Sequence, residues 1–427
     1  MTSRGPAYKS SKEKTVSAEK LYGKQTELGV QNFGPGRRTV ADVPALVKNY
    51  GFVKQAAARA NAKLGVITAE QAEAIEAAAH EVATGMHDDQ FPTALVLGGG
   101  GTTTNMNANE VIATRAAQIA GEKIHPNDHV NASQSTNDSY PTAMALTVMD
   151  LAEAPIKALR ALADEFDAKA AEYEDTVRLG RTCLQDAVTL TVGETHRSHS
   201  AAIRRLAGEF EGAVVVLNEV PLGATVLGSG IGAVEGYREE AVAELAKLKG
   251  RALKPAPDMF DSLSNLDGYA SIAHVAARAA LTMAKIAQDL RMLSSGPLGG
   301  LQEVTLPAVQ AGSSIMPGKI NPVIPEYVMQ LSYRVRGAAS TVEMAVAAGE
   351  LELNIMEPII VDSLINIFED VESAATVFGE ECVRGLVWEG SRLDSNAEVA
   401  FDRWVTMSAD VGYEETTKKV REYWAGA

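Results

Sequence analysis

The sequence predicts an all-α protein whose core is a bundle of long helices. From residue 268 to residue 293, apolar side chains recur at spacings of three and four, at positions 272, 275, 279, 283, 286, 290 and 293. A periodicity sustained over that length is typical of a bundle seam. Strand signals are scarce, because the apolar segment 225–231 is short, is broken by glycine and is at best part of a small hairpin.

Four further segments repeat the helical pattern, and with the first they predict a five-helix bundle. They run over residues 141–173, 187–217, 325–353 and 358–385. Helices this long carry apolar residues on more than one face. A single thick core would account for such faces, but we prefer their burial against other copies of the chain.

Smaller, mainly helical domains are expected on both sides of the bundle. The boundaries that we expect are an N-terminal domain at 1–138, the bundle domain at 139–387 and a short C-terminal domain at 388–427. Residues 1 to about 20 are rich in Lys and Ser and predict a mobile arm. A helical pattern then runs from residue 43 to residue 85, within which Thr68 and Gln71 predict a capped helix start.

Composition limits the class of protein. Of the 427 residues, 22% are charged and 46% are apolar, as in soluble globular proteins. The net charge of −16 argues against nucleic acid as a partner. The sequence has two cysteines, Cys183 and Cys382, which is too few for a disulfide framework or a Cys-rich zinc site. Neither a membrane span nor a secretory signal is recognisable, so we expect a cytoplasmic location.

The most distinctive segment is the loop Gly312–Pro322, with the sequence GSSIMPGKINP. Its two glycines and two prolines predict an irregular turn and not a helix. Lys319 and Asn321 can both donate hydrogen bonds to a carboxylate. Ser313 or Ser314 can act as a nucleophile or, when deprotonated, as a base. A plain Gly/Pro turn is the alternative, and the density of polar groups favours a functional loop.

Four more polar segments interrupt the helical pattern, at residues 98–107, 125–131, 133–138 and 180–186. The first is glycine-rich but lacks the preceding strand and the Gly-Lys-Ser/Thr of a phosphate loop. The second has two His and one Asp that can ligate a metal, although we prefer a hydrogen-bonded turn. The third is either a helix cap or part of a polar site. In the fourth, just before an expected helix, Arg181 and Asp186 can form a structural ion pair.

Taken in chain order, these segments resemble the sequence blocks of the aspartase/fumarase superfamily over about residues 20–390. The resemblance is strongest to aspartate ammonia-lyases and class II fumarases, and Thr136, where fumarases usually have a second Ser, favours the ammonia-lyases. The resemblance implies a homotetramer with a multi-helix core and active sites built from three subunits. It further implies a lyase that eliminates ammonia from a small dicarboxylate, L-aspartate, to give fumarate, with no redox cofactor and no obligatory metal.

Roles for individual residues also follow from the resemblance. Ser313 corresponds to the general base, which acts as its alkoxide, and Lys319 to a catalytic residue that also holds a substrate carboxylate. The other substrate-binding positions implied are Thr102, Ser135, Thr136, Asn137, Thr182 and Asn321. Removal of a proton from the carbon beside a carboxylate produces an aci-carboxylate with a second negative charge. Hydrogen-bond donors arranged in advance around that group stabilise it where the charge develops.

Position 183 departs from the family pattern. Cys183 stands where most relatives have His, or Gln in some aspartases, and Glu326 corresponds to the Glu that holds this His in fumarases. Cys183 is a poor substitute for a group that protonates a leaving hydroxide, which favours ammonia as the leaving group. Both residues are therefore candidates for a supporting role. The alternatives are a lyase for another N- or O-substituted succinate, including malate, and a non-catalytic structural homologue.

Overall fold

The computed structural model describes residues 19–426, so the arm expected at the N-terminus lies almost wholly outside the described residues. Its helices, in chain order, are α1 Lys24–Phe33, α2 Pro44–Lys63, α3 Ala69–Ala83, α4 Thr102–Ala120, α5 Thr136–Glu172, α6 Val192–Val214, α7 Tyr237–Lys249, α8 Met259–Ser264, α9 Asp267–Leu293, α10 Val323–Ala347, α11 Glu357–Phe378, α12 Gly390–Ala397, α13 Asp402–Val411 and α14 Tyr413–Gly426. Its strands are β1 Val177–Thr182, β2 Gln185–Thr191, β3 Glu219–Val220, β4 Lys254–Pro255, β5 Val304–Thr305 and β6 Val387–Trp388. The mainly helical fold class is thus confirmed.

The five longest helices of the described chain, α5, α6, α9, α10 and α11, pack side by side. Helix α5 contacts α6 and α11, while α9 contacts α6, α10 and α11. Their inward faces bury Leu, Ile, Val, Phe and Ala side chains in one continuous core. On α9 the buried positions include 272, 275, 279, 283, 286 and 290, which the spacing of apolar residues predicts. Within residues 19–426, none of the helices has the length and apolar character needed to cross a bilayer.

The region around residue 185 differs from the sequence prediction. Helix α6 begins at Val192, and residues 187–191 belong to β2, which pairs antiparallel with β1. The turn between these strands is Cys183-Leu184, where φ is 53° and 60°. A two-residue turn with positive φ at both positions matches the twist of a hairpin. The prediction of a helix from residue 187 was therefore wrong, and the polar segment 180–186 is the tip of a hairpin.

Three smaller expectations can also be compared with the structure. Thr68 caps α3, and the reciprocal hydrogen bonds with Gln71 form the expected capping box. The helix expected over 325–353 ends earlier, at Ala347. The small hairpin considered at 225–231 is wrong, because these residues form turns and bends in which Gly228 and Gly230 have positive φ.

A glycine allows the starts of α4 and α5 to approach each other closely. Gly101 precedes α4 in a left-handed conformation with φ of 82°, and a Cβ atom there would lie 2.1 Å from the ring of Tyr140 in α5. Only glycine combines this φ with this contact at no steric cost. The polar segments 98–107 and 133–138 are thereby brought against each other.

Candidate functional site

The starts of α4 and α5 hold four of the residues expected to bind substrate. Thr102 opens α4, and its hydroxyl donates to the carbonyl oxygen of Gly99 at 2.8 Å. Ser135 caps α5, because its Oγ accepts a hydrogen bond from the Asn137 backbone N–H at 3.2 Å. The Asn137 amide donates to the Val226 carbonyl at 2.8 Å. The remaining member, Thr136, is half-buried beside Ser135 and Asn137.

A buried lysine supports this group of residues from behind. Lys54 of α2 is fully buried, and its Nζ donates to side-chain amide oxygens of Asn105, Asn131 and Gln134 at 2.9–3.0 Å. Asn105 in turn donates to Thr136 Oγ1 at 3.0 Å. Burial disfavours the ammonium form and lowers the pKa of Lys54 to about 7. The network therefore connects the buried lysine, through Asn105, to the candidate substrate-binding residue Thr136.

Asp138 fixes the orientation of the first turn of α5. It is fully buried, and its carboxylate accepts backbone hydrogen bonds from Ser135 at 3.0 Å, Gly223 at 3.2 Å and Thr225 at 2.9 Å. Burial raises the pKa of Asp138 to about 7, while the backbone donors act in the opposite direction. These bonds join the start of α5 to the turn at residues 223–226. The Val226 carbonyl of this turn also accepts the hydrogen bond from the Asn137 side-chain amide.

The signature loop is closed by its own hydrogen bonds. Gly312 N–H donates to the Lys319 carbonyl and the Asn321 side-chain amide donates to the Gly312 carbonyl, both at 2.8 Å. A Cβ at Gly312 would lie 2.6 Å from the Lys319 oxygen, so this crossing of the backbone requires glycine. Ser313 Oγ accepts backbone hydrogen bonds from Ile315 at 3.2 Å and Met316 at 3.1 Å. Two preformed donors therefore point at the oxygen expected to act as the base.

Lys319 and Ser314 lie on the exposed outer part of the same loop, whereas Ser313 and Asn321 are half-buried. The sequence predicts an irregular turn here, and the structure agrees, since residues 312–322 contain no helix and α10 begins at Val323. Glu326 lies in the first turn of α10, where its carboxylate is 3.4 Å from Arg291 Nε.

Thr182 and Cys183 lie at the exposed tip of the β1–β2 hairpin. The residue before them, Arg181, donates from Nη2 to Glu303 Oε1 at 2.5 Å. Glu303 is fully buried and also accepts from the Asn396 amide at 2.8 Å. The suggested ion pair of Arg181 with Asp186 is therefore replaced by one with Glu303. This contact holds the hairpin tip against the segment that precedes β5.

The candidate residues thus fall into three groups, which are the starts of α4 and α5, the hairpin tip and the signature loop. Among the hydrogen bonds of residues 19–426, none joins the loop to either of the other groups, and none joins Glu326 to Cys183. The starts of α4 and α5 are joined to each other by the hydrogen bond from Asn105 to Thr136, whereas no hydrogen bond of the described residues joins them to the loop.

Two residues of these networks were missed by sequence reasoning. Lys54 lies in an Ala-rich helical pattern beside the apolar positions Val53, Ala56 and Ala57. These neighbours indicate a helix face that packs on the core, but they do not reveal the polar partners that a buried lysine requires, which lie 51 to 80 residues away in the chain. No local pattern marks Glu303, since its partners are 93 or more residues away in the chain.

The segment 125–131 forms a hydrogen-bonded turn, as preferred from the sequence. His129 Nδ1 accepts from the His125 N–H, and His125 Nδ1 accepts from the Asp128 N–H, both at 3.1 Å. Across residues 19–426, no three His, Cys, Asp or Glu side chains are grouped closely enough to hold a metal ion.

A mainly helical fold with these polar blocks defines a class of lyases, and comparison with known proteins agrees. The lyase family matches residues 12–337 of the chain. An aspartate ammonia-lyase from a Bacillus species is 38% identical over 416 residues, covering 96% of this chain and 88% of the relative. An aspartate ammonia-lyase from Escherichia coli K12 is 40% identical over 378 residues, covering 87% of this chain and 79% of the relative.

Solved structures agree with the sequence relatives. A fumarate lyase:delta crystallin from Brucella melitensis, bound to cobalt, has a TM-score of 0.91 at 39% identity, covering 96% of this chain and 90% of that one. A class II fumarase from Schistosoma mansoni has a TM-score of 0.91 at 31% identity, covering 95% and 89%. The chain therefore belongs to the lyase family and, as its motifs predict, to the aspartase/fumarase superfamily.

Proposed function

We propose that this protein is a carbon–nitrogen lyase that eliminates ammonia from L-aspartate to give fumarate. The observation that carries the proposal is the 38–40% identity to aspartate ammonia-lyases over most of the chain. A second observation supports the proposal. The starts of α4 and α5 bring together Thr102, Ser135, Thr136 and Asn137, and their hydroxyl and amide groups suit a small dicarboxylate.

In this proposal Ser313 is the general base, as the family resemblance implies. Its alkoxide takes a proton from the carbon beside a substrate carboxylate, and the electron pair moves into that carboxylate. The carbon–nitrogen bond then breaks, ammonia leaves, and the double bond of fumarate forms. The backbone donors from Ile315 and Met316 favour the negative oxygen of Ser313, since a hydrogen bond to a charged form stabilises it.

Lys319 and Asn321 supply donors to the carboxylates in this proposal. Each hydrogen bond to a charged group contributes about 1.5–3 kcal/mol. Because the aci-carboxylate carries more negative charge than the substrate, the same donors bind the intermediate more tightly. Thr182, at the hairpin tip, is the remaining donor that we assign to the substrate, and Cys183 and Glu326 are kept as supporting candidates.

We further propose that the functional form is a homotetramer whose sites combine the three residue groups from different chains. Apolar side chains remain exposed on the bundle helices of the single chain, including Leu281 of α9 and Tyr333 and Met344 of α10. Tyr333 and Met344 lie about three turns apart and therefore on one face of α10, and a contiguous exposed apolar surface is typical of a site that binds another chain. We also propose that the chain is divided into three domains, with boundaries at 138/139 and 387/388. A cytoplasmic location is proposed as well.

The leaving group is tested by mixing the purified protein with L-aspartate or L-malate and following fumarate by its ultraviolet absorbance. We expect fumarate from L-aspartate and much slower formation from L-malate. Faster formation of fumarate from L-malate would favour the fumarase-type alternative. The structural similarity to a class II fumarase is the reason for testing that alternative. Absence of turnover with both substrates, and with other N-substituted succinates, would favour a non-catalytic homologue.

A further inference from the structure

A cavity of about 410 Å³ lies between the β1–β2 hairpin, the end of α9 and Trp388. Much of its wall is formed by leucine and valine side chains, namely Leu184, Val188, Leu190, Leu290, Leu293 and Leu301. The charged side chains Arg178, Arg181 and Asp289 also line it, together with His199. A concave apolar site with a few polar groups is the usual form of a small-molecule site.

A β-bulge places both arginines on one side of the hairpin. Residues three apart in a regular strand point to opposite faces, but the register of β1 shifts between Leu179 and Arg181. A Cβ at Gly180 would lie 2.5 Å from the Val188 carbonyl oxygen, so this irregular pairing depends on glycine. Arg178 and Arg181 consequently both reach the carboxylate of Glu303, at 3.5 Å and 2.5 Å.

The two arginines at the cavity have one carboxylate between them. Both guanidinium groups contact Glu303. Asp289 also lines the cavity, and it forms an ion pair with Lys285 at 2.5 Å. The guanidinium groups lie beside apolar walls, where water screens charge weakly, so an additional anionic partner would interact with them strongly.

Several buried side-chain nitrogen atoms at the cavity also lack partners within the described chain. Arg178 is 9% exposed, and its Nε has no hydrogen-bond partner. Its polar contacts are long, at 3.3 Å to Thr195 Oγ1 and 3.5 Å to Glu303, and its guanidinium carbon lies 5.2 Å from the centre of the Trp388 ring. Arg181 Nη1 and His199 Nδ1 are likewise unpartnered, and His199 is 8% exposed. A buried polar group without a partner is costly, and an anion at this position would relieve that cost.

We propose that this cavity is a binding site for a small organic monocarboxylate with a compact apolar or aromatic body. The carboxylate would accept hydrogen bonds from the free N–H groups of Arg178 and Arg181, since guanidinium groups suit carboxylates geometrically. The body of the ligand would lie against the leucine wall. A dicarboxylate such as fumarate fits poorly, because its second charge would be buried against Leu290 and Leu293 without a partner. The ligand class therefore differs from that of the proposed substrate site, which this cavity adjoins at Thr182.

Calorimetric titration of the full-length protein with benzoate tests this proposal. We expect saturable binding of benzoate, at least about tenfold weaker binding of the neutral isostere benzamide, and no change in benzoate affinity with excess fumarate. Failure of benzoate to bind would overturn the proposal, including the case in which another copy of the chain fills the cavity. Displacement of benzoate by fumarate would also overturn it, because the cavity would then be part of the substrate site.

Two substitutions in the same hairpin localise the binding. Val188 lines the cavity and is 43% exposed, so Val188→Trp can fill the space without disturbing the buried core. Val177, at the start of β1, is 46% exposed and does not line the cavity. We expect Val188→Trp to weaken benzoate binding at least about tenfold and Val177→Trp to leave it unchanged. Equal benzoate affinity in both folded variants would place the ligand elsewhere and refute the proposal.

Discussion

Arg181 donates from Nη2 to Oε1 of Glu303 at 2.5 Å, and this carboxylate is completely buried. The bond connects the hairpin tip, which carries Thr182, to the segment just before β5. The same carboxylate accepts the Asn396 amide of α12. Two arginines and one amide therefore depend on a single buried anion.

Replacement of Glu303 by Ala is expected to destabilise the protein strongly. The change leaves Arg178 and Arg181 without their counter-charge, and breaking a buried ion pair from one side typically costs about 3–5 kcal/mol. The measurement is the free energy of unfolding in urea at neutral pH. Glu211→Ala is the matched control, because Glu211 forms an exposed ion pair with Arg160 at 2.6 Å, and exposed pairs contribute little. A loss no larger in Glu303→Ala than in the control would contradict the assigned role.

The second prediction concerns the buried imidazole of His196. Its Nε2 accepts a hydrogen bond from Trp388 Nε1 at 3.0 Å. Burial first, and then the charges of Lys169 and Arg178, lower the pKa of His196 to about 4. The unfolded chain binds the proton near pH 6.5 and the folded chain only near pH 4, so the stability that comes from neutral His196 is lost as pH falls between these values. The loss is roughly 3 kcal/mol when complete.

Unfolding in urea at pH 7 and pH 4.5 measures this effect. The His196→Gln variant lacks the titrating ring, so its stability should fall less than that of the wild-type protein between the two pH values. The change in stability between the two pH values is compared between variant and wild type because His199 also contributes to it. Burial lowers the pKa of His199 to about 3, and this contribution is present in both proteins. Identical pH dependence in the two proteins would show that His196 is not held neutral by the fold.

The helices were predictable because their information is local. The apolar spacing on α9 and the Thr68–Gln71 capping box both lie within a few turns of chain. The β2 segment was missed because Val188 and Leu190 alternate with Thr189 and Thr191, a strand pattern that was joined to the helix following it. The hairpin turn also carries Cys183 and Leu184 at positive φ, which neither residue type signals.

The residues of the candidate site were likewise predictable where their contacts are local in sequence and not predictable where those contacts are long-range. The loop Gly312–Pro322 was recognisable because its shape depends on residues close together in sequence, as the contact of Gly312 with Lys319 and Asn321 shows. Lys54 and Glu303 were not recognisable, because their roles arise from long-range packing. Lys54 meets Asn105 across 51 residues. Such contacts follow from the whole fold and leave no local pattern.

The third prediction is that Ser313→Ala nearly abolishes turnover while the protein stays folded. The hydroxyl is the proposed base, and loss of such a group typically reduces turnover by about 10²–10⁴-fold or more. Steady-state formation of fumarate measures the effect, with circular dichroism and size-exclusion chromatography to check the fold. Ser314→Ala is the control, because Ser314 is exposed on the same loop. If Ser314→Ala is the inactive variant and Ser313→Ala is active, the base has been assigned to the wrong serine.

The last prediction concerns assembly of the site from several chains. Lys319 of the signature loop and Thr182 of the hairpin tip lie on separate parts of one chain, with no hydrogen bond between their groups. Lys319→Ala alone should reduce both substrate affinity and turnover, because the ammonium meets one negative charge in the substrate and two in the intermediate. Thr182→Ala should also be inactive or nearly so.

When the two inactive variants are mixed after mild dissociation and allowed to reassociate, activity should return. In a hybrid oligomer, some sites receive Lys319 from a Thr182→Ala chain and Thr182 from a Lys319→Ala chain, so they carry neither defect. Native mass spectrometry establishes that hybrids form, and fumarate formation measures the recovery. Each variant mixed with itself is the control, because dissociation and reassociation then bring no intact site together. Hybrids that form but remain inactive would mean that one chain supplies both residues to its own site, and the proposed sharing of sites would be wrong.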